Sequence, residues 1–343
     1  MKALSNAVAG VPVRNFGQEK VRLFAGPSLL LLALICLQHP LAMAYAEGSF
    51  QRSLQVNGPI NLDVATGSGN IQVRTGASSH VEIAGRIKAH EWFGGNTEEK
   101  IKRLEANPPI QQSGNDIHIG HVDDPELMRN ISISYELIVP AETRLHSHSG
   151  SGNLTIEGIQ GPVDADSGSG NVEIKNVAET VRADTGSGNV EIDHVKGNVH
   201  SKTGSGWIHA TDVAGGFEGS TGSGDVTLQQ TAPGTVRVST GSGGMDLRGV
   251  RGSLEARAGS GTIHADGEPT GGWLVNTGSG TVKLRLAFSS AFDLDAHTNS
   301  GSITVSQPIS SEGTMGRKEV RGKVGGGGVP VNVRTGSGDI LIQ

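Results

Sequence analysis

Two short runs of alternating apolar and polar residues, joined by a glycine-rich turn, recur along most of the chain. In Val181-Arg-Ala-Asp-Thr-Gly-Ser-Gly-Asn-Val-Glu-Ile192 the apolar or small positions are Val181, Ala183, Val190 and Ile192, with polar residues between them. Such period-two alternation is the mark of a strand with one buried face. Before the turn, the same positions hold Val199/Ser201, Phe217/Gly219, Val236/Val238, Leu254/Ala256, Trp273/Val275, Leu294/Ala296 and Val331/Val333. After it they hold Val172/Ile174, Ile208/Ala210, Val226/Leu228, Ile263/Ala265, Val282/Leu284, Ile303/Val305 and Ile340/Ile342. Each unit therefore predicts two strands.

The Gly-Ser-Gly tripeptide begins at Gly67 and Gly150 and then recurs at spacings of 18, 18, 18, 18, 19, 18 and 19 as far as Gly278. A degenerate Asn299-Ser300-Gly301 follows after 21 residues, and a last copy starts at Gly336, 37 further on. A flat meander of so many strands would leave one apolar face in water. Coiling each unit once stacks equivalent strands in parallel ladders and lets the two faces cover each other. The extra residues of the longer units fall at the second corner, between strands, and never within Gly-Ser-Gly. The expected fold is all-β: a right-handed parallel β-solenoid of about 18 residues per coil with two short strands each, plus a small irregular strand/helix insertion near the N-terminus. The structural turn residues are Gly168, Gly170, Gly186, Gly188, Gly204, Gly206, Gly222, Gly224, Gly241, Gly243, Gly259, Gly261, Gly278, Gly280, Gly336 and Gly338. Glycine there permits positive φ and close stacking of corners.

Between Gly67 and Gly150 the repeat breaks. Val81–Lys88 and Ile131–Val139 read as strands. Between them Asn96 and Glu99 form a capping-box pair ahead of a short helix with Ile101 and Leu104 on its buried stripe, ended by Pro108-Pro109. Residues 85–140 are expected to cap the N-terminal end of the stack, which would otherwise expose strand edges. The regular repeats cover 145–306, a loop 307–330, and a last coil 331–343.

The first 46 residues have a different character. Lys2, Arg14, Lys20 and Arg22 precede the apolar run Leu29–Leu37, Pro40 and the small-x-small site Ala44-Tyr45-Ala46. This predicts a signal peptide at 1–46 cleaved between Ala46 and Glu47, and a mature β-solenoid domain at 47–343. The apolar run is too short to span a bilayer, so no stable membrane span is expected after cleavage. Retention as an anchor is the competing reading. Cys36 is the single cysteine, so a cleaved product has no disulfide.

Composition narrows the partners. Glycine supplies 52 of 343 residues, and only 7 Phe, 3 Trp and 2 Tyr are present, which argues against a thick globular core. A net charge of -6 gives no electrostatic footprint for nucleic acid. A calcium roll needs carboxylates after each glycine corner. Here those positions hold Asn153, Asn171, Asn189, Trp207, Asp225, Thr262, Thr281 and Asp339, which reads instead as a hydrogen-bonding ladder. Asp164/Asp166, Glu173 and Glu191 are the candidate catalytic carboxylates, but the loops are too short to enclose a pocket. Asp164, Arg182, His200, Glu218, Arg237 and Glu255 should form one exposed column of mixed charge. His146, His148, His118 and His121 show no clear ligand spacing with a carboxylate. Trp207, Trp273 and Trp92-Phe93 form no shared aromatic platform. No catalytic residue, metal or cofactor is assigned.

The chain resembles the bacterial putative-adhesin domain family, an exported β-solenoid domain of unknown function. The carriers are the Thr-Gly-Ser-Gly-Asn-Val-Glu-Ile units, Tyr135-Glu-Leu-Ile-Val-Pro140, and Gly325–Gly328 followed by Thr335-Gly-Ser-Gly-Asp-Ile-Leu-Ile342. The resemblance implies an envelope or surface protein and transfers no catalytic residue. The expectation is a non-enzymatic structural or interaction module at the periplasm, cell surface or outside the cell, with an unknown protein or glycan ligand. The alternatives are a β-helix enzyme acting on envelope polysaccharide and an accessory sensor of envelope state.

Overall fold

A computed structural model describes residues 46–343 except 78, 90–95, 123 and 311–315. Two sheets of 14 and 15 strands face each other, and the eleven strands of each that belong to coils run parallel. The pre-turn sheet stacks strands such as Val163–Ser167, Val181–Thr185, Val199–Thr203 and Phe217–Thr221. Its partner stacks Val172–Val177, Val190–Val195, Ile208–Val213 and Val226–Gln230. Register is in phase with the repeat: Val163 pairs with Val181, Val181 with Val199, and Val199 with Phe217. The predicted inward positions are buried throughout the coils, except Ile303 and Val305, which are half-buried in the terminal rung. Size is balanced within the core: Gly219 leaves the space that the Phe217 ring fills, 2.6 Å from where a Cβ would stand.

The glycine corner is explained chiefly by contact. A Cβ on Gly168, Gly186, Gly204 or Gly222 would lie 2.3 Å from the carbonyl oxygen of the first turn glycine one coil below. On Gly170, Gly188, Gly206 or Gly224 it would lie 1.9–2.0 Å from the carbonyl of the second. The same contact recurs at Gly241, Gly243, Gly259, Gly278 and Gly336, at 2.1–2.6 Å. Among the turn glycines, positive φ contributes at Gly261, Gly280, Gly301 and Gly338, where φ is 150–159°. The residue before each turn completes the corner. The Thr185 hydroxyl donates to the Gly170 carbonyl at 2.8 Å and accepts from the Gly188 N–H at 3.2 Å. Thr203 repeats this bond for bond, and Ser149 and Ser167 do so at the lower coils.

The second corner differs from the sequence reading. Asn176, His194 and Asp212 stand one coil apart with φ of 53–58°, a left-handed conformation that Asn and Asp tolerate best. Each adds one residue to its strand and reverses the side-chain alternation, so Val177, Val195 and Val213 return to the core.

Two expectations about the C-terminal region are corrected. The coil formed by Val329–Ser337 and Ile340–Ile342 is not the last rung. It lies between Trp273–Ser279/Val282–Leu286 on one side and Phe292–Ser300/Ile303–Val305 on the other. Trp273 pairs in register with Val331, and Val331 with Leu294. The loop expected over 307–330 contains the strand Glu319–Val324, which runs antiparallel to Phe292–Ser300. Val320 and Val324 are buried there, so the edge of the terminal rung is covered.

At the other end, Ile60–Thr66 and Ile71–Thr75 form the first coil and stack directly on Thr143–Ser149 and Leu154–Glu157. The intervening segment adds two strands to the post-turn sheet, Ile131–Val139 and His80–Ala89, and Ala46–Gln55, which precedes the first coil, adds a third at the edge. The hairpin Ile110–Ser113/Asp116–Ile119 extends the pre-turn sheet. The helix Thr97–Ala106 buries Ile101 and Leu104 as expected, but Asn96 makes no side-chain capping bond. The helix is instead tied to the outermost strand, where the Ser49 N–H donates to Glu105 Oε1 at 2.9 Å and Arg52 Nη2 to the Glu105 carbonyl at 3.2 Å.

Candidate functional site

Strand alternation sends every second residue of the pre-turn sheet to the outer face. Because the coils stack in register, these residues form columns. Asp63, His146, Asp164, Arg182, His200, Glu218, Arg237 and Glu255 follow one another in a single column across eight rungs. Basic and acidic neighbours pair along it. His146 Nδ1 lies 3.6 Å from Asp164 Oδ2, Arg182 Nε 3.8 Å from Asp164 Oδ1, His200 Nδ1 3.6 Å from Glu218 Oε2, and Arg237 Nε 3.8 Å from Glu255 Oε2. In the adjacent column His148 Nδ1 meets Asp166 Oδ2 at 3.0 Å. All are exposed or half-buried on the outer face, so each pair is worth at most about 1 kcal/mol, and their first effect is to favour one register.

At the N-terminal end of this face the column gains a constellation that the sequence did not show. Asp63 pairs in register with His118 of the hairpin on one side and His146 on the other. His118 Nδ1 and His121 Nε2 lie 3.3 and 3.2 Å from the same oxygen, Asp63 Oδ2. The two rings are 5.9 Å apart and nearly perpendicular. Gly120, at φ 89°, turns the chain between the two histidines. It packs so closely that a Cβ would stand 1.8 Å from the Ala65 carbonyl. The spacing His118-x-x-His121 was the only available sequence signal, and the carboxylate that completes it comes from 55 residues upstream.

The carboxylates weighed as catalysts are arranged otherwise. Glu173 and Glu191 stack in register on the outer face of the post-turn sheet, and Lys175 Nζ bonds Glu173. That bond, with the charge of Glu173, raises the Lys175 ammonium above its ordinary range. The predicted asparagine ladder is present: the Asn171 N–H donates to Asn153 Oδ1 at 2.9 Å, Asn189 to Asn171 at 2.9 Å, and Trp207 to Asn189 at 3.1 Å. Trp207 is 41% exposed, edge-on to His209, whereas Trp273 is core and its indole N–H donates to the Gly252 carbonyl at 3.0 Å. Trp92-Phe93 and the apolar run Leu29–Leu37 lie outside the described residues. Ala46 and Glu47 open the outermost strand, opposite Ala89 and Lys88.

The second corner carries a further polar group. His194 Nδ1 lies 2.7 Å from Asp193 Oδ2, and its Nε2 lies 3.0 Å from Asp212 Oδ2. The hydrogen bond and charge of Asp193, with the charge of Asp212, raise the His194 imidazole. Partial burial pushes the Asp193 carboxyl up, but hydrogen bonds from Thr211 and His194 outweigh it and hold it below its ordinary value. An open groove lined by Asn176, His194, Lys196 and Asp212 follows this corner.

Stacked coils, two facing parallel sheets and a glycine corner that repeats in register define a β-solenoid repeat protein. The sequence model of the Toastrack DUF4097 family matches residues 111–343, and the chain belongs to that family. Solved structures similar to it include a putative adhesin from Bacteroides fragilis, 12% identical over 86% of this chain and 97% of that one, with a TM-score of 0.30. Another is a putative cell adhesion protein from Clostridium sporogenes, 12% identical over 87% of this chain and 99% of that one, with a TM-score of 0.19. No curated protein matches the chain. Among the described residues, no helix is long and apolar enough to cross a membrane.

Proposed function

We propose that the chain is an exported, non-enzymatic module of the cell envelope or surface that binds a protein or glycan partner along its outer faces. The leader-like segment ending at Ala46 supports export, with cleavage before Glu47. The observation that carries the reading is the disposition of the polar residues. They lie in straight, in-register columns on open sheet faces, where Glu173, Glu191, Asp164 and Asp166 are neighbours of one another or of basic groups. A glycan-cleaving pair instead needs two carboxylates facing each other across a bound sugar. A rigid double sheet with columns of repeated chemistry suits an extended ligand that is contacted at many points.

The test is binding of the purified chain to a glycan array and to isolated envelope fractions, alongside an assay for release of reducing sugar. Saturable binding without turnover is the expected result. Sugar release that disappears in Glu173→Gln would replace this reading with the enzymatic one.

A further inference from the structure

We propose that Asp63, His118 and His121 form a binding site for a divalent transition ion of the Zn²⁺ class, and that the ion clasps the N-terminal hairpin to the first coil. Three stretches of chain meet here, because Ile60–Thr66 is flanked in the sheet by Asp116–Ile119 and Thr143–Ser149. Alternation leaves no freedom about where Asp63 and His118 point. Leu62 and Val64 are buried on either side of Asp63, and Ile117 and Ile119 on either side of His118, so both side chains emerge on the same outer face.

The geometry matches a metal site. With bonds of about 2.0–2.1 Å, the ligand atoms of tetrahedral zinc stand about 3.3 Å apart. Asp63 Oδ2 is 3.3 Å from His118 Nδ1 and 3.2 Å from His121 Nε2. All three ligand atoms lie within 4.8 Å of one another. The edge between the two imidazoles is at most 4.8 Å, and His121 is exposed and outside any strand, so its ring can turn to adjust that edge. Two imidazoles and one carboxylate suit Zn²⁺, Ni²⁺, Co²⁺ or Cu²⁺, whereas Ca²⁺ and Mg²⁺ prefer oxygen donors. Three protein ligands leave a fourth position for water. The ion would link the hairpin and its following loop to the first rung, and so hold closed the sheet edge that the hairpin covers.

Untagged full-length protein, stripped with chelator, is titrated calorimetrically with ZnCl₂ and, separately, with CaCl₂. One Zn²⁺ per chain is expected, with no binding of Ca²⁺. Asp63→Ala and His121→Ala are each expected to weaken Zn²⁺ binding about tenfold or more, while His194→Asn leaves it unchanged. His121→Ala guards against misfolding, since its circular dichroism in chelator should equal that of the parent. Hydrogen exchange at residues 110–119 is expected to slow when Zn²⁺ is added to the parent and not to His121→Ala. No Zn²⁺ binding, or binding that survives both substitutions, overturns the site. Binding with unchanged exchange at 110–119 overturns the clasp.

Discussion

The Thr335 hydroxyl donates to the carbonyl of Gly280 at 3.0 Å, across 55 residues of sequence. On the other side of that coil, the Thr298 hydroxyl donates to the Gly338 carbonyl at 2.9 Å. Together the two bonds hold the C-terminal coil inside the stack. Deleting residues 329–343 should therefore leave residues 292–310 and 319–324 without a rung to rest on, as well as removing one coil. Limited proteolysis is expected to cut first within 287–324, while the coils up to 286 persist. A truncated chain whose residues 292–305 stay protected would show that they can close onto the 273–286 coil directly.

In the regular repeats, glycine at the corner leaves no room for a Cβ above the coil beneath it, and Asn299 of the terminal rung is the exception. Gly188→Ala would bring a Cβ to 2.0 Å from the Gly170 carbonyl. The expected destabilisation is about 1–3 kcal/mol, as for other overpacked sites. Gly67 starts the first turn and has nothing within 4 Å of its Cβ position. Gly67→Ala should be neutral or slightly stabilising, since it also restricts the unfolded chain. Thermal melts of the two variants check the contrast.

The hydroxyl column has an equally specific requirement. Thr203 donates to the Gly188 carbonyl at 2.8 Å and accepts from the Gly206 N–H at 3.1 Å, both buried. Thr203→Val keeps the shape and strands those two backbone groups, at an expected cost of about 2 kcal/mol. Thr203→Ser should be close to the parent, because Ser167 makes the same pair of bonds two coils away. Chemical denaturation of both variants decides it.

The His194 group predicts a pH signature. The imidazole is raised in the folded chain, so its contribution is complete below its unfolded value, about 6.5, and fades as pH rises through the folded one. The Asp193 carboxyl is lowered, so its contribution is complete above about pH 4 and is lost as pH falls through the folded value. The stability difference between the parent and His194→Asn should peak at about pH 5–6 and shrink toward pH 9. Asn is chosen because it accepts the left-handed backbone at this position. Melting temperatures measured across that range test the sign.

The coils were legible because each one states the same facts again. Val181/Ala183 and Val190/Ile192 alternate with period two, and the Gly-Ser-Gly spacing allows only one residue to lie above its equivalent. Three features were not legible, each for a physical reason. Val195 re-enters the core because His194 adopts a left-handed conformation that shifts the alternation, and an alternating template cannot count an inserted residue. The place of the final coil is invisible because Thr335-Gly-Ser-Gly338 offers a neighbour the same hydroxyl and carbonyls as any other turn. Asp63 meets His118 and His121 only because the inserted segment folds back beside the strand that precedes it. Spacing along the chain carries no trace of that return.

The interleaved order of the last two rungs also bears on how the molecule is made. A polypeptide that emerges amino end first can add each coil to the one before it as far as Leu286. From there, the strand that emerges next cannot yet take its final position, because its inner neighbour has still to arrive. Completion must wait for residues 329–342, so a product released or cut before them keeps an unfilled gap and remains distinguishable from one that contains them.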